Sequence, residues 1–340
     1  MNRFSIKKRL ALENEYKVER SHIHEKDKLK NMGHLVSNKN GCEQYEYNTR
    51  KYELMCSVCA INESKITLYI MKSYYKILTN WICPNVPLLV DSFTYKGSRY
   101  MMYEKPTTTL KMYVELNDIS EENKLAWYFQ ILAAILAMKK YCNIAHGNLA
   151  IDQLYLHKTS ETHVNYNIHR VDYVVPTFGF IVTVDGFVDK KGSSKKHFKD
   201  LWESTDIFKN VRDIRNIRSV LKKCIKKREN GCTVEEIFKY NPIFHSFVGT
   251  EIGRGVPSNY TNETTYDSKS NPTMNRICYR DKIGVLLSHF DKESSSILIR
   301  DDDNKISVRT CPNDHIRLVS SSFGPSQETL DRVGNTHFFT

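Results

Sequence analysis

The sequence has no run of apolar residues long enough to cross a bilayer. ILAAILAM, at Ile131–Met138, is among the longest, and a spanning helix needs about 20. It also lacks a hydrophobic leader ahead of its cysteines, which implies a soluble protein in a reducing compartment where thiols stay free. The nine cysteines (Cys42, Cys56, Cys59, Cys83, Cys142, Cys224, Cys232, Cys278 and Cys311) are odd in number and scattered through apolar segments. Only Cys56 and Cys59 form a CxxC, and neither Cys42 nor Cys83 supplies the second ligand pair of a structural zinc site. The pair reads as two small hydrophobes on a strand. No GxGxxG occurs, Gly33 and Gly41 being eight positions apart, so a glycine-rich backbone lid over phosphates is not recognisable.

What the chain has in excess is positive charge, 50 Lys and Arg against 39 Asp and Glu, a formal +11. Such a balance favours anionic partners: nucleic acid, a membrane surface or an acidic protein. The excess is dispersed, with small clusters at Lys190–Lys199 and Lys222–Arg228 and no RNA-stacking motif, the pattern of a solvated face. At 340 residues the chain can bury a core without cross-links.

Residues 1–32 read as a charged helical extension, exposed or packed on a partner, because KRLALENEYKVERSHIHEKDKLKNM combines good helix formers with few apolar positions. From Cys42 to Ile61 the text is rich in Tyr and Val, as in short strands. In NESKITLYIMKSYYKILTN, Ile66, Ile70, Tyr74, Ile77 and Leu78 recur at helical spacing, and CPNVP ends that helix. Two strands follow, PLLVDSF and RYMMYE, turning through Lys96 and Gly97, before KPTTT breaks the regular structure at 105/106. Ser120 opens a long helix with Glu121 and Glu122 in its first turn and an apolar face of Leu125, Phe129, Leu132, Ile135 and Leu136. A second amphipathic helix, Asp206 to about Lys227, aligns Val211, Ile214, Ile217, Leu221 and Ile225. Residues 249–275 are polar and rich in turn formers, a linker. Residues 276–320 alternate apolar and polar in three or four short strands separated by DKESS, DDDN and CPND, a small all-β module patterned like an SH3 or KOW barrel. Residues 321–340 read as a flexible tail.

Several segments carry a resemblance when taken in order: ICPNVPLLVDSF, RYMMYEK, QILAAILAMKKYCNIAHGNLAIDQLYL, YVVPTFGFIVTVDGF and DIFKNVRDIRNIRSVL. From Cys42 to Val248 the chain resembles the protein-kinase fold in the divergent form found in large DNA viruses. The resemblance implies an α+β, bilobal kinase-like fold with a small lobe at 33–105 and a helical large lobe at 106–248. The five segments then fall on the approach to the fourth strand, the fifth strand and hinge, the long helix with its catalytic loop, a VPTFG insertion leading into the metal-binding strand, and the buried helix that anchors the large lobe.

Phosphoryl transfer asks a protein for positioning and charge neutralisation, and each part can be placed by that resemblance. The catalytic Asp falls on Asn148, because HGNL sets the register through His146 and Leu149. Asparagine takes no proton at neutral pH, and a positioned base is worth about 10²–10⁴ in rate. The metal-binding Asn falls on Gln153, one methylene longer. VDGF keeps the metal carboxylate as Asp185 and exchanges Gly186 with Phe187; a single carboxylate needs phosphate help to make an octahedral magnesium site. Glu104 falls at the hinge, contributing its backbone to a nucleotide. His146 buttresses the loop, and Asp213 resembles the buried Asp of the anchoring helix.

The phosphate-anchoring lysine has no clear place. Lys72 in LYIMKS belongs to the helix before CPNVP, and the third strand, YELMCSVCAI, has no lysine, with Lys51 before it the only substitute. The partner Glu of that helix falls near Leu68 or Tyr69, and no APE-like signal follows VDKKGSSKKHFKDLWES, read as the activation segment. The framework is kept and the chemistry is not. The resemblance therefore implies a pseudokinase, a scaffold or regulatory binding protein of a large DNA virus, with Mg2+ and ATP binding weak or lost. Its partners would be virion or host proteins, and its location the host cytoplasm, viral factory or virion. Two alternatives stand beside it. One is a divergent active serine/threonine kinase using Asp185 with Asp152 or Gln153. The other is a nucleic-acid-binding protein acting through Lys190–Lys199 and the β module, with a salt slope of about −0.9 per phosphate contact.

Overall fold

The structure is a computed structural model. It describes residues 6–20, 23, 25–39, 42–49, 53–61, 64–80, 82–168, 171–187, 194–227, 237–238, 242–247, 263–265, 276–280, 282–289, 293–300, 306–319 and 336–339. The class is mixed α+β with mainly antiparallel sheets. Two compact units divide the chain: Met1–Thr162 with Pro176–Val234, and His163–Val175 with Glu235–Thr340.

The first unit begins with α1 (Ile6–Arg20), a short α2 (Glu25–Lys28), β1 (Met32–Lys39), β2 (Cys42–Asn48), β3 (Glu53–Ala60) and α3 (Ser64–Thr79). It continues through β4 (Leu89–Tyr95), β5 (Ser98–Glu104), β6 (Thr108–Thr109), α4 (Leu110–Leu116), α5 (Glu121–Ala137) and β7 (Leu154–Lys158). Strands β8 (His163–Ile168) and β9 (Val171–Pro176) depart into the second unit as far as Val175, and β10 (Phe180–Val184), α6 (Ser194–Ile207) and α7 (Arg212–Lys227) complete the first.

Five antiparallel strands form one sheet in the order β1-β2-β3-β5-β4. β3 is flanked on both sides and buries Leu54, Met55, Cys56 and Ser57 in succession, the continuous burial of a central strand covered on both faces. The β4–β5 hairpin turns through Lys96 (φ 46) and Gly97 (φ 79), the two positive φ values a tight two-residue turn demands. Ile70, Tyr74, Ile77 and Leu78 of α3 are all buried, as their spacing predicts. α1 departs from expectation: it packs on β4 and α3 of its own chain, turning Arg9, Glu13 and Tyr16 inward. The helical extension also ends earlier than 32, since β1 already begins at Met32.

Ser120 caps α5 by accepting the Asn123 N–H. Residues Ala126–Ala137 are buried on every side, not along one face, because β10 packs on this helix and so does α6. A π-helical turn, Met138–Cys142, follows and closes on Asn143 in the left-handed region (φ 51). β10, β7 and β6 form a small antiparallel sheet. The single helix expected from Asp206 is in fact two, parted at 208–211, where the Val211 N–H donates to the Phe208 carbonyl. No glycine or proline marks that break, so the apolar period runs straight across it.

In the second unit, β11 (Glu263–Thr265), β12 (Arg276–Tyr279), β13 (Lys282–His289), β14 (Ser294–Arg300), β15 (Ile306–Pro312) and β16 (Ile316–Val319) form one antiparallel sheet, ordered β11-β16-β12-β13-β14-β15. Ile277, Leu286, Ile297, Ile299, Cys311 and Ile316 make its core. Residues 276–320 hold five strands where three or four were expected, β11 from the expected linker adds a sixth, and no pairing among the described residues joins edge strands β11 and β15 into a barrel. Most of 249–275 lies outside the described residues, apart from β11. Part of the expected flexible tail is a strand, β17 (Thr336–Phe339), which pairs in parallel with β8 beside β9; the run Thr-His-Phe-Phe suits a strand. The expectation of free thiols holds at Cys56, Cys83, Cys142 and Cys311 but not at Cys59, which is disulfide-bonded and stands opposite Cys42 in the β2–β3 register.

Candidate functional site

The loop Ile144–Gln153 is held by one face of α6. The main-chain N–H groups of His146 and Gly147 donate to the two carboxylate oxygens of Asp200 at 2.7 and 2.6 Å. The Leu149 N–H donates to Glu203 at 2.8 Å, and the Lys199 ammonium donates to the Gly147 carbonyl at 2.8 Å. Positions 199, 200 and 203 share that face because helical neighbours recur at three and four residues. Burial pushes the Asp200 carboxyl up to about 6, against the pull of the two amides. Asp213, expected in this role, is exposed in the first turn of α7. The anchor is Asp200, inside the segment read as the activation segment, and the α6–α7 break is what displaced the assignment.

His146 is fully buried, and its Nε2 lies 2.8 Å from the Asp185 carbonyl. A carbonyl only accepts, so Nε2 carries the proton; burial lowers the imidazole to about 4 and keeps it neutral. Asn148 is exposed at the loop surface. Gln153 faces inward: its Oε1 accepts the Ala150 N–H at 3.1 Å and its carbonyl accepts the Asp185 N–H at 3.1 Å. Gly186 has φ +85, and a Cβ there would meet the Gln153 amide nitrogen at 3.2 Å, which accounts for glycine directly after Asp185. Phe187 then turns inward against the rings of His146 and Tyr74, with centroids at 4.8 and 6.0 Å.

The Asp185 carboxylate accepts the hydroxyl of buried Tyr74 from α3 at 3.3 Å. Burial, and then the nearby Asp185 charge, raise the Tyr74 phenol well above its ordinary value, so it remains a donor. The structure thus brings His146, Gln153 and Asp185 together and leaves Asn148 and Asp152 exposed.

Between the five-stranded sheet and the β10-β7-β6 sheet is a cavity of about 400 Å³, with Val36, Met55, Tyr103, Glu104, Lys105, Met112, Tyr155, His157, Thr183 and Asp185 among its lining residues. Met55 lies on β3, and Ser57, two residues on, points the same way. Ser57 is buried and donates to the Tyr103 hydroxyl at 3.2 Å. A small hydroxyl therefore occupies the inner position on that strand. Lys72 and Tyr69 are exposed on α3, and Leu68 is half-buried; Lys51 lies outside the described residues. Lys105 is bound to Glu46 at 2.9 Å.

Glu104 contributes a side chain as well as backbone. Its amide donates to the Leu88 carbonyl at 3.2 Å. Its carboxylate accepts from Arg9 Nε at 2.8 Å, while the other Arg9 nitrogens donate to the carbonyls of Pro84 and Val86, each at 2.8 Å. On its other side, His157 Nδ1 lies 3.9 Å from Glu104, and His157 Nε2 is 3.1 Å from the Thr183 hydroxyl. Burial lowers His157 to about 4, although Glu104 opposes the shift. Behind the cavity, Asn85 of CPNVP donates to Gln130 at 3.0 Å and to the Val182 carbonyl at 2.8 Å. Its carbonyl accepts the Val184 N–H at 3.0 Å, and Gln130 accepts the Val182 N–H at 2.8 Å. Neither Arg9 nor Gln130 carries a sequence signal of its role, because each acts on residues distant along the chain.

A pH dependence follows. His146 and His157, held near 4 against an ordinary 6.5, contribute stability that is present above about pH 6.5 and lost as pH falls toward 4. Asp200, raised from 3.8 to about 6, acts oppositely, its contribution being lost as pH rises through 6. Between pH 6 and 4 the unfolded chain carries up to about one proton more than the folded one, so urea denaturation is expected to show stability falling on the order of 1 kcal/mol per pH unit. His157→Gln should flatten that slope; an unchanged slope would show that His157 is not held neutral.

Of the basic clusters, Lys190 and its neighbours to residue 193, and the side chains of residues 222–228, lie outside what is described; Lys199 belongs to the loop clamp. No helix among the described residues is long and apolar enough to cross a membrane. Among them, no group of three or more His, Cys, Asp or Glu side chains is placed to share a metal ion. Compared with the models of known protein families and with curated proteins, the sequence matches none.

Proposed function

We propose that the first unit is a bilobal kinase-like fold that serves as a binding scaffold for a protein partner and not as a phosphotransferase. The sheet order β1-β2-β3-β5-β4, with α3 between β3 and β4, supports the fold. The observation that carries the functional reading is a loop whose support is complete and whose base position is not. His146 holds the Asp185 carbonyl and Asp200 holds two loop amides, yet the residue presented at the surface is Asn148. An asparagine there orients without accepting a proton. Ser57 on β3 supplies no cation for a phosphate, and Tyr74 occupies the Asp185 carboxylate.

The test is transfer of labelled γ-phosphate from Mg·ATP to a mixed protein substrate and to the chain itself. Both the unaltered protein and the double variant Asn148→Asp, Gln153→Asn are expected to remain at the no-protein background. A weakened enzyme would instead gain about 10²-fold or more when its base is restored. Such a gain would establish the serine/threonine kinase reading in place of the scaffold.

A further inference from the structure

α7 divides into two faces. Val211, Ile214, Ile217 and Leu221 are buried, and Arg212, Arg215, Asn216 and Ser219 between them are exposed. Seven of the 16 residues in RDIRNIRSVLKKCIKK are Lys or Arg, against a single Asp. The helical period carries the outward row on through positions 222, 223 and 226, each a lysine. Asp213 stands on the flank of that row, where its neighbours one turn on are Asn216 and Ile217, so it forms no next-turn pair with an arginine. On the opposite flank Arg218 bonds the Asp206 carboxylate and lies over the Trp202 ring, 4.5 Å from its centroid; Asp206 is thereby engaged away from the row. Arg212 and Arg215 pair with no carboxylate among the described residues. Like charges one turn apart repel, and an external polyanion relieves what the described fold leaves unbalanced.

The chemistry of this face narrows the partner. Helices that lie on membranes do so by burying their apolar face in the lipid, and that face of α7 is already in the protein core. The centre of a protein–protein interface is depleted in charge, whereas no apolar residue interrupts the outward row. Single strands are held by stacking bases on aromatic rings, and α7 contains no aromatic residue. A duplex backbone, by contrast, asks only for cations in a row.

We infer that the outward face of α7 binds the phosphate backbone of duplex nucleic acid without reading its sequence. From position 212 to position 226 the row is about 21 Å long. A duplex presents a phosphate about every 3.4 Å along each strand, so three or four cationic positions can face phosphates at once. Such binding is independent of the cleft and of whether phosphate is transferred there.

Anisotropy of a fluorescein-labelled DNA duplex of about 20 base pairs, titrated with the full chain, decides it. Three or four contacts give a salt slope of about −2.7 to −3.6, so affinity should fall about 40- to 150-fold between 50 and 200 mM KCl. Arg212→Gln with Arg215→Gln removes two contacts and should weaken binding at 100 mM by about tenfold or more and flatten the slope by about 2. Both arginines are exposed, so the melting midpoint should stay within a degree or two. Lys72→Gln with Lys76→Gln takes the same charge from the exposed side of α3 and should change affinity less than about threefold.

No binding at 50 mM KCl, or binding that ignores salt or survives the arginine substitutions, overturns the inference. So does an equal loss from the lysine pair, which would show diffuse charge and no site. Tighter binding of a dT single strand, of vesicles containing phosphatidylserine or of polyglutamate, dependent on the same two arginines, would assign the face to a single strand, a membrane surface or an acidic protein instead.

Discussion

Replacing Arg9 with alanine is expected to destabilise the protein by about 3–5 kcal/mol, the cost of stranding one member of a buried ion pair. Arg9 is fully buried and Glu104 nearly so. Its loss leaves a buried carboxylate without its cation and the carbonyls of Pro84 and Val86 without donors. For a unit of this size the melting midpoint should drop by about 10 °C. The double variant Arg9→Met, Glu104→Gln should recover part of the loss, because removing both charges also removes the penalty of burying them. A midpoint within about 2 °C of the unaltered protein for Arg9→Ala would mean that α1 does not dock through this residue.

The second large effect belongs to Asp200. Asp200→Ala strands two loop amides at once, and each buried unsatisfied donor costs about 1–3 kcal/mol. Part of this is offset, since burying the carboxylate is itself unfavourable, as its upward shift to about 6 records. A net loss of about 2–4 kcal/mol is expected. Asp200→Asn keeps one acceptor oxygen and should lose less. Asp213→Ala, at an exposed position, should stay within about 0.5 kcal/mol. Denaturant titration of the three variants ranks the two carboxylates directly; equal effects at 200 and 213 would contradict the loop clamp.

These two residues also mark where the sequence was legible and where it was not. Local chemistry could be read: the spacing of Ile70, Tyr74, Ile77 and Leu78, the Lys96-Gly97 turn, and the Ser120 cap all reflect rules that act within a few residues. His146 was legible because its loop is a contiguous motif. Asp200 and Asp213 were exchanged because an apolar period continued through the turn at 208–211, where no residue signals a stop. Arg9 reaches a residue 95 positions away, and nothing near it in the chain distinguishes it from the adjoining Lys7 and Lys8. The division at His163–Val175 was likewise hidden, since β8 and β9 find their place through a strand at Thr336–Phe339, far outside any local window. Cys59 was misjudged for the same reason: its position opposite Cys42 depends on strand register, not on spacing.

The Asn85 cluster braces the walls of the cavity. It ties the segment before β4 to α5 and β10, and the chain passes between the same layers a second time at residues 105–107, where the Thr107 N–H is bound to the Leu156 carbonyl at 2.9 Å. Both ties lie within one compact unit, and the Tyr74 hydroxyl on the Asp185 carboxylate adds a third at 3.3 Å. Walls braced at three places have their spacing set in advance, so little affinity would be spent on ordering them.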